Sequence, residues 1–150
     1  MQRPQRQLAR QAAALVAIVT LCAAAQAQPI EQALRPRTDA TTGIEYVQGG
    51  AGEQEMLAVK AMQSQYPLHL VFSRNNGEYI VPDRITVSSS QRVVLNVVNA
   101  GPALLAKLPP GRYSVQADYL GSTQRRNVDI GRESKLVSWN WGAVNDPPAR

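Results

Sequence analysis

The feature that most constrains the fold is a run of apolar segments between residues 68 and 141, separated by turn signals at short, fairly regular intervals. Several segments alternate apolar and polar residues, as strands with one buried face do. The segments are LHLVFS (68–73), EYIVPDRITVS (78–88), RVVLNVVN (92–99), ALLAKL (103–108), YSVQADY (113–119), TQRRNVDI (123–130) and KLVSWNW (135–141). This pattern predicts a mainly β protein, an antiparallel β-sandwich of about seven strands. The chain lacks the alternating strands and helices of a nucleotide-binding α/β fold.

The residues between these segments suggest how the strands connect. Asn76-Gly77 is a strong hairpin signal, because both central residues of a type I′ turn need positive φ. Pro82 has no N–H to donate to a sheet, so we expect an edge or a bulge there. Residues 92–99 are apolar at both parities, which predicts a strand covered on both faces.

One helix is predicted ahead of the strands, at about residues 53–66. Apolar residues recur there at helical spacing, and Glu53 and Glu55 lie in the first turn, where the helix dipole favours acidic groups. Pro67 ends the segment. The glycine-rich QGGAG (48–52) just before it has neither a Gly-Lys-Ser/Thr ending nor G-x-G-x-x-G spacing, so we interpret it as a hinge rather than a phosphate loop.

The first 27 residues have the pattern of a signal peptide. Three arginines precede an apolar run of 14 residues (12–25), which is shorter than the roughly 20 residues of a membrane-spanning helix. Ala25 and Ala27 supply the small residues of a cleavage site, with Gln28 as the new N-terminus. Leu21 stands before Cys22 where a lipoprotein signal has a small residue, which argues against a lipid anchor. We therefore expect a periplasmic or secreted protein with no integral membrane segment after cleavage.

The expected mature chain comprises a flexible leader (28–43), one β-sandwich domain with its helix (44–141) and a disordered tail (142–150). It contains no cysteine, so neither a disulfide nor a thiolate site is expected. Removing the three N-terminal arginines from the 16 basic residues leaves 13 against 11 acidic residues. A chain so close to neutrality is a poor candidate for binding nucleic acid.

The segment LPPGRYSVQADYLGS (108–122) predicts a corner between two strands. Proline presets φ for a turn, and Gly111 tolerates backbone conformations that other residues avoid. We expect Pro109, Pro110 and Gly111 to form the turn. A tyrosine that begins a strand buries a large ring, and its hydroxyl needs a partner. The Tyr113 hydroxyl is therefore expected to bond to the backbone.

Residues 101–131, with the phrase Leu-Pro-Pro-Gly-x-Tyr, resemble the carboxypeptidase regulatory-like domains, which are small sandwiches of transthyretin-like (prealbumin-like) topology. The helix segment also resembles part of small exported proteobacterial proteins with that domain. The resemblance implies a fold rather than an activity. Hydroxyisourate hydrolases share the fold and end in Tyr-Arg-Gly-Ser, whereas Tyr119-Leu120-Gly121-Ser122 is internal and lacks the arginine.

Residues suited to catalysis or metal binding are sparse. His69 is the one histidine, and its neighbours Leu68 and Leu70 point to the opposite face of the strand. A zinc site usually needs three or four ligands, so we expect neither a metal nor any other cofactor. Glu53 and Glu55 are the one close carboxylate pair, and at that spacing they do not face each other on a helix.

Trp139 and Trp141 are two residues apart in the last strand, so they point to the same face of it. This placement allows two interpretations. On a buried face they belong to the core, which is our expectation. On an open face they form a platform for a sugar or a peptide, which Tyr79 and Tyr119 could extend. The arginine pair Arg125-Arg126 is interpreted as protection of a strand edge.

These observations predict an exported, non-enzymatic binding or accessory module that contacts an envelope protein or a polymer. This functional prediction depends mainly on the lack of recognisable catalytic chemistry and on fold analogy. Two alternatives stay open. One is a transthyretin-like hydrolase with an inter-subunit site at His69, and the other is a carbohydrate-binding module that uses Trp139 and Trp141.

Overall fold

The computed structural model describes residues 34–142, which form two sheets that pack face to face, with one α-helix on the outside of one sheet. The α-helix is α1 (Glu53–Met62), followed by a single 3₁₀ turn (Gln63–Gln65). The strands are β1 (Arg37–Thr38), β2 (Glu45–Gly49), β3 (Leu68–Arg74), β4 (Arg84–Ser89), β5 (Arg92–Val98), β6 (Ala103–Ala106), β7 (Gly111–Tyr119), β8 (Ser122–Ile130) and β9 (Lys135–Trp141). The predicted β-sandwich with one preceding helix is confirmed, and β3 to β9 are the seven predicted strands.

The five-stranded sheet has the order β1-β2-β6-β3-β9, and the four-stranded sheet has the order β5-β4-β7-β8. Neighbouring strands are antiparallel except β3 and β9, which are parallel. The last strand therefore returns beside the strand that follows the helix. The 3₁₀ turn at the end of α1 accounts for the difference from the predicted helix of residues 53–66.

The main core lies between the sheets and has Trp139, Phe72 and Leu70 at its centre, all fully buried. A second core lies under α1 on the outer face of the five-stranded sheet, where Met56 and Val59 of the helix pack against Leu105 of β6. The helix is held to the sheet by this apolar contact, because the burial of apolar surface is the main favourable term.

The prediction that residues 92–99 form a strand covered on both faces is wrong. Strand β5 lies at the edge of its sheet, and Val93 and Val98 on its outer side are 48% and 54% exposed. The strand with two covered faces is β6, all four residues of which are buried. Its second face is buried because α1 packs over it.

The predicted hairpin after Asn76-Gly77 is shorter than expected. A turn forms, but it is not the predicted type I′ turn, because Gly77 has positive φ and Asn76 does not. The Gly77 N–H donates to the Arg74 carbonyl oxygen at 2.9 Å, so the central residues of the turn are Asn75 and Asn76. The returning chain makes a single bridge, between Ser73 and Tyr79, and regular pairing resumes only at β4. Pro82 has no N–H for a ladder, which explains why no continuous strand spans residues 78–88.

The described part of the predicted flexible leader, residues 34–43, is structured instead. Strand β1 pairs with β2, and the turn between them is closed by the Asp39 carboxylate, which accepts N–H bonds from Thr41 and Thr42 at 2.9 and 3.0 Å. Both bonds lower the pKa of Asp39, and the bond from Thr42 has the larger effect. The Thr42 hydroxyl also donates to the Val94 carbonyl oxygen on the edge strand β5 at 2.6 Å.

At the other end of the two sheets, away from β1 and β5, side chains of β8 bond to the backbone of β9 and so connect the sheets. Gln124 donates to the Asn140 carbonyl oxygen at 2.9 Å, and Arg126 donates to the Ser138 carbonyl oxygen at 2.8 Å. These two carbonyl oxygens belong to an edge strand, and such groups are open to pairing with another chain. The edge-protecting interpretation therefore fits Arg126, and the edge that it covers is that of β9.

Candidate functional site

A groove of about 390 Å³ lies on the outer face of the four-stranded sheet. Its floor is built from β4, β7 and β8, and side chains with hydroxyl, amide and guanidinium groups line it. Among them are Thr86, Ser88, Ser114, Gln116, Arg125 and Asn127. We call this feature the outer groove.

The pairing register aligns these side chains in rows across the sheet. Thr86, Gln116 and Arg125 form one row, and the next row is Ser88, Ser114 and Asn127. Paired residues of neighbouring strands point to the same face, so each row presents three polar groups side by side. The intervening residues of β7, such as Val115, face the core. The alternation that builds the core therefore also builds the groove.

Arg125 is the main unbalanced charge of the outer groove. One Nη2 donor bonds to the Gln116 Oε1 atom at 2.6 Å, and the Gln116 amide in turn donates to Asp118 at 3.2 Å. In the part of the chain that the structure describes, the three ion pairs are Arg74–Glu78, Lys107–Glu45 and Arg112–Asp129, none of which includes Arg125. A guanidinium has five donors, so Arg125 keeps further donors for a ligand.

Arg112 lies at the end of the outer groove and is paired with Asp129 at 2.9 Å. Both side chains are largely exposed, at 81% and 75%. Exposed ion pairs contribute little to stability, about 0–1 kcal/mol. The pair can therefore open at little cost when another anion approaches Arg112.

The chain bends at Pro109-Pro110 and leads directly into β7, and Tyr113 anchors the bend. The predicted turn also included Gly111, which instead is the first residue of β7. The Tyr113 hydroxyl donates to the Pro109 carbonyl oxygen at 2.7 Å, and the side chain is 6% exposed. The same burial raises the pKa of Tyr113. The predicted corner, with its hydroxyl-to-backbone bond, is confirmed. It fixes the start of the strand that supplies Ser114 and Gln116 to the groove.

Trp139 and Trp141 lie in the main core, at 0% and 5% exposed, with their rings stacked at 6.1 Å between centroids. Two tyrosines could have extended a platform formed by these rings. Tyr119 packs edge-on against Trp141, and Tyr79 is half-exposed. The alternative of a stacking platform required exposed indoles and is wrong. The interpretation of both tryptophans as core residues is confirmed.

His69 is buried under the end of α1, with 4% of its surface exposed. It faces away from Leu68 and Leu70, as predicted, and its Nε2 atom lies 2.6 Å from the carbonyl oxygens of Gln63 and Tyr66. Two carbonyl partners require Nε2 to carry the proton and donate. The ring thus fastens the 3₁₀ turn to β3, a structural role that differs from the open inter-subunit site of the hydrolase alternative.

The glycine-rich segment 48–52 is closed by a side chain of the following helix. The Glu55 carboxylate accepts N–H bonds from Gly50 and Ala51 at 3.2 and 3.0 Å. These are the amides that a phosphate loop would direct at its ligand. The interpretation as a hinge rather than a phosphate loop agrees with this contact.

Within residues 34–142, no group of three or more His, Cys, Asp or Glu side chains is placed to hold a metal ion. No helix in the same range has both the length and the apolar character needed to cross a bilayer. The predicted cleavage residues Ala25, Ala27 and Gln28 lie outside the described residues, as do residues 143–150 of the predicted tail.

Comparison with known proteins adds little to this geometry. No family model matches the chain, and no curated protein matches it. Among solved structures, the chain is similar to the Bacillus anthracis TIE protein, at 23% identity and a TM-score of 0.39. That likeness covers 51% of this chain and 16% of the other, and it is too weak to carry an argument about fold or function.

The outer groove is not predicted by the sequence patterns. Its signal was present in Ser114 and Gln116, which alternate with the apolar residues of β7. Polar residues at these positions are typical of any solvated face, so the alternation alone did not distinguish a site. The register that aligns them with Ser88 and Asn127 comes only from the fold.

Proposed function

We propose that the protein is a non-enzymatic binding module and that its ligand lies in the outer groove. The observation that carries this proposal is the row formed by Thr86, Gln116 and Arg125, which places a guanidinium without an acidic ion-pair partner among the described residues beside neutral hydrogen-bonding groups. Ligand sites are concave, and a few placed polar groups fix the orientation of the ligand. The outer groove differs from the usual apolar pocket because nearly all of its lining side chains carry polar groups, which favours a hydroxylated or charged ligand. The cores, by contrast, account for the tryptophans and His69 as structural residues.

The test is to locate the binding surface by amide chemical-shift mapping. The protein is titrated with a panel of soluble hexamers: a neutral glucan, a uronic-acid glycan and an oligoglutamate. We expect at least one of them to shift the amide signals of Ser88, Ser114 and Asn127 and to leave those of α1 unchanged. Shifts confined to the helix or to the five-stranded sheet would place the ligand elsewhere and contradict the proposal.

We further propose that the module acts in the periplasm or outside the cell and belongs with the carboxypeptidase regulatory-like domains. Both statements are supported by the sequence patterns, namely residues 1–27 for export and residues 101–131 for the family. N-terminal sequencing of the protein recovered from the periplasm or medium tests the export proposal. A sequence that begins at Gln28 would support it, and an intact Met1 would contradict it.

A further inference from the structure

We propose that the ligand of the outer groove is an acidic polysaccharide whose carboxylates pair with Arg125 and Arg112. This inference rests on the proposed function, since it names the chemistry of a ligand for the same groove. It follows from the charge, the spacing and the lining of the groove.

The charge favours an anionic ligand. Hydrogen bonds to neutral groups such as Ser88, Ser114 and Asn127 replace bonds to water, so each contributes little net affinity. A guanidinium that meets a carboxylate makes charge-assisted bonds, which are roughly twice as strong and often bidentate. Arg125 is therefore the group in the groove from which a ligand can gain most.

The spacing favours a polymer over a single small acid. Arg112 and Gln116 are four residues apart on β7, which corresponds to about 13 Å along an extended strand. Arg125 lies on β8 directly opposite Gln116. A ligand that pairs with both arginines must therefore carry carboxylates spaced along the strand direction, as an extended acidic chain does. Opening the exposed Arg112–Asp129 pair makes the second cation available.

The lining favours a polysaccharide over a peptide. Peptides are usually recognised at a sheet edge, by apolar pockets for their side chains or, when they are acidic, by clusters of arginines. The outer groove has two arginines, and one of them, Arg112, is already paired with Asp129. The outer groove lies on a sheet face. Tyr113 is the aromatic residue of its lining, and the side chain of Tyr113 is buried towards the core. Hydroxyl and amide groups, which both donate and accept, match the hydroxyl groups of a sugar chain.

The experiment measures binding of hexagalacturonate, a uronic-acid hexamer, by isothermal titration calorimetry at low salt. Its methyl ester serves as the matched neutral ligand, and hexaglutamate serves as the matched acidic peptide. We expect hexagalacturonate to bind most tightly and Arg125→Gln to weaken its binding about tenfold, the effect of losing one charge-assisted contact. Arg125→Gln combined with Arg112→Gln should abolish measurable binding.

Arg84→Gln is the control variant, because Arg84 lies on the outward side of β4 but does not line the groove. It should leave the affinity unchanged, and thermal melting of all variants confirms that they are folded. Raising the salt concentration should weaken the binding, since exposed charges are screened.

Three results would overturn the inference: equal binding of the methyl ester, tighter binding of hexaglutamate, or no binding of hexagalacturonate up to about 1 mM. None of these results contradicts the proposal that the groove is the binding site if chemical-shift mapping places another ligand there. A ligand that maps outside the groove overturns both proposals, so the two failures are distinguishable.

Discussion

The Tyr113 hydroxyl donates a 2.7 Å hydrogen bond to the carbonyl oxygen of Pro109, four residues earlier in the chain. This bond joins the bend at Pro109-Pro110 to the start of β7. Because β7 supplies central residues to both the core and the outer groove, the geometry of the groove depends on this corner.

Replacing Tyr113 with phenylalanine removes the hydroxyl and leaves the Pro109 carbonyl oxygen without this donor. We expect a loss of about 1–2 kcal/mol in the free energy of unfolding, measured by urea denaturation. Tyr79→Phe is the control, since that side chain is 47% exposed. An equal, small effect of both substitutions would show that the corner bond contributes nothing.

Leu120 is strained at the turn between β7 and β8. Its φ is 47° and Gly121 follows at 76°, which is the type I′ pattern that favours Asn-Gly. Leu120→Asn should therefore stabilise the protein by about 1 kcal/mol, seen as a higher Tm. Leu136→Asn is the control, because Leu136 is similarly exposed but lies in the extended strand β9. An unchanged or lower Tm for Leu120→Asn, or an equal rise for the control, would contradict the explanation.

The adjacent arginines Arg125 and Arg126 are expected to differ in their effect on stability. Arg126 bonds to the Ser138 carbonyl oxygen and lies over the Trp139 ring at 4.9 Å, whereas Arg125 faces the groove. Arg126→Ala should cost about 1 kcal/mol and increase acrylamide quenching of tryptophan fluorescence. Arg125→Ala should change stability by less than about 0.5 kcal/mol and leave quenching unchanged. Identical behaviour would refute the division of roles.

Tyr66 makes stability depend on pH in the alkaline range. Burial and the hydrogen bond to Glu45 raise the pKa of Tyr66 from 10.0 to about 12. Below pH 10 both the folded and the unfolded chain keep the proton, so this contribution to stability is fully present. Between pH 10 and 12 the unfolded chain loses the proton first, and stability falls by on the order of 2 kcal/mol.

The measurement compares urea denaturation of the protein and of Tyr66→Phe at pH 9 and at pH 11.5. The variant lacks the titrating group, so its stability should fall less over this interval. A fall of the same size in both proteins would assign the effect to other groups.

Much of the fold followed from local patterns. Alternation located β7 to within two residues, and the Pro-Pro-Gly-x-Tyr signature predicted the hydroxyl bond of Tyr113. These features are predictable because they depend on residues close together in sequence.

What the sequence left open depends on which elements cover one another. The apolar run of residues 92–99 predicts a strand covered on both faces, but this run forms the edge strand β5, and β6 is the strand that α1 covers. The same long-range packing buries His69 under the helix. The outer groove was unpredictable for a related reason. Ser114 contributes to a polar row only because the fold brings Ser88 and Asn127 into register beside it.

The most direct test of the groove as the binding site is to fill it. Ser114 stands at its centre, and Ser114→Tyr places a ring where the ligand lies; Ser138→Tyr puts the same change on β9, outside the groove. Affinity for the hexamer that gives the strongest shifts in the panel is then measured for both variants, with melting curves to confirm folding. We predict that Ser114→Tyr abolishes binding and that Ser138→Tyr retains it. Unchanged affinity in a folded Ser114→Tyr protein would contradict the account.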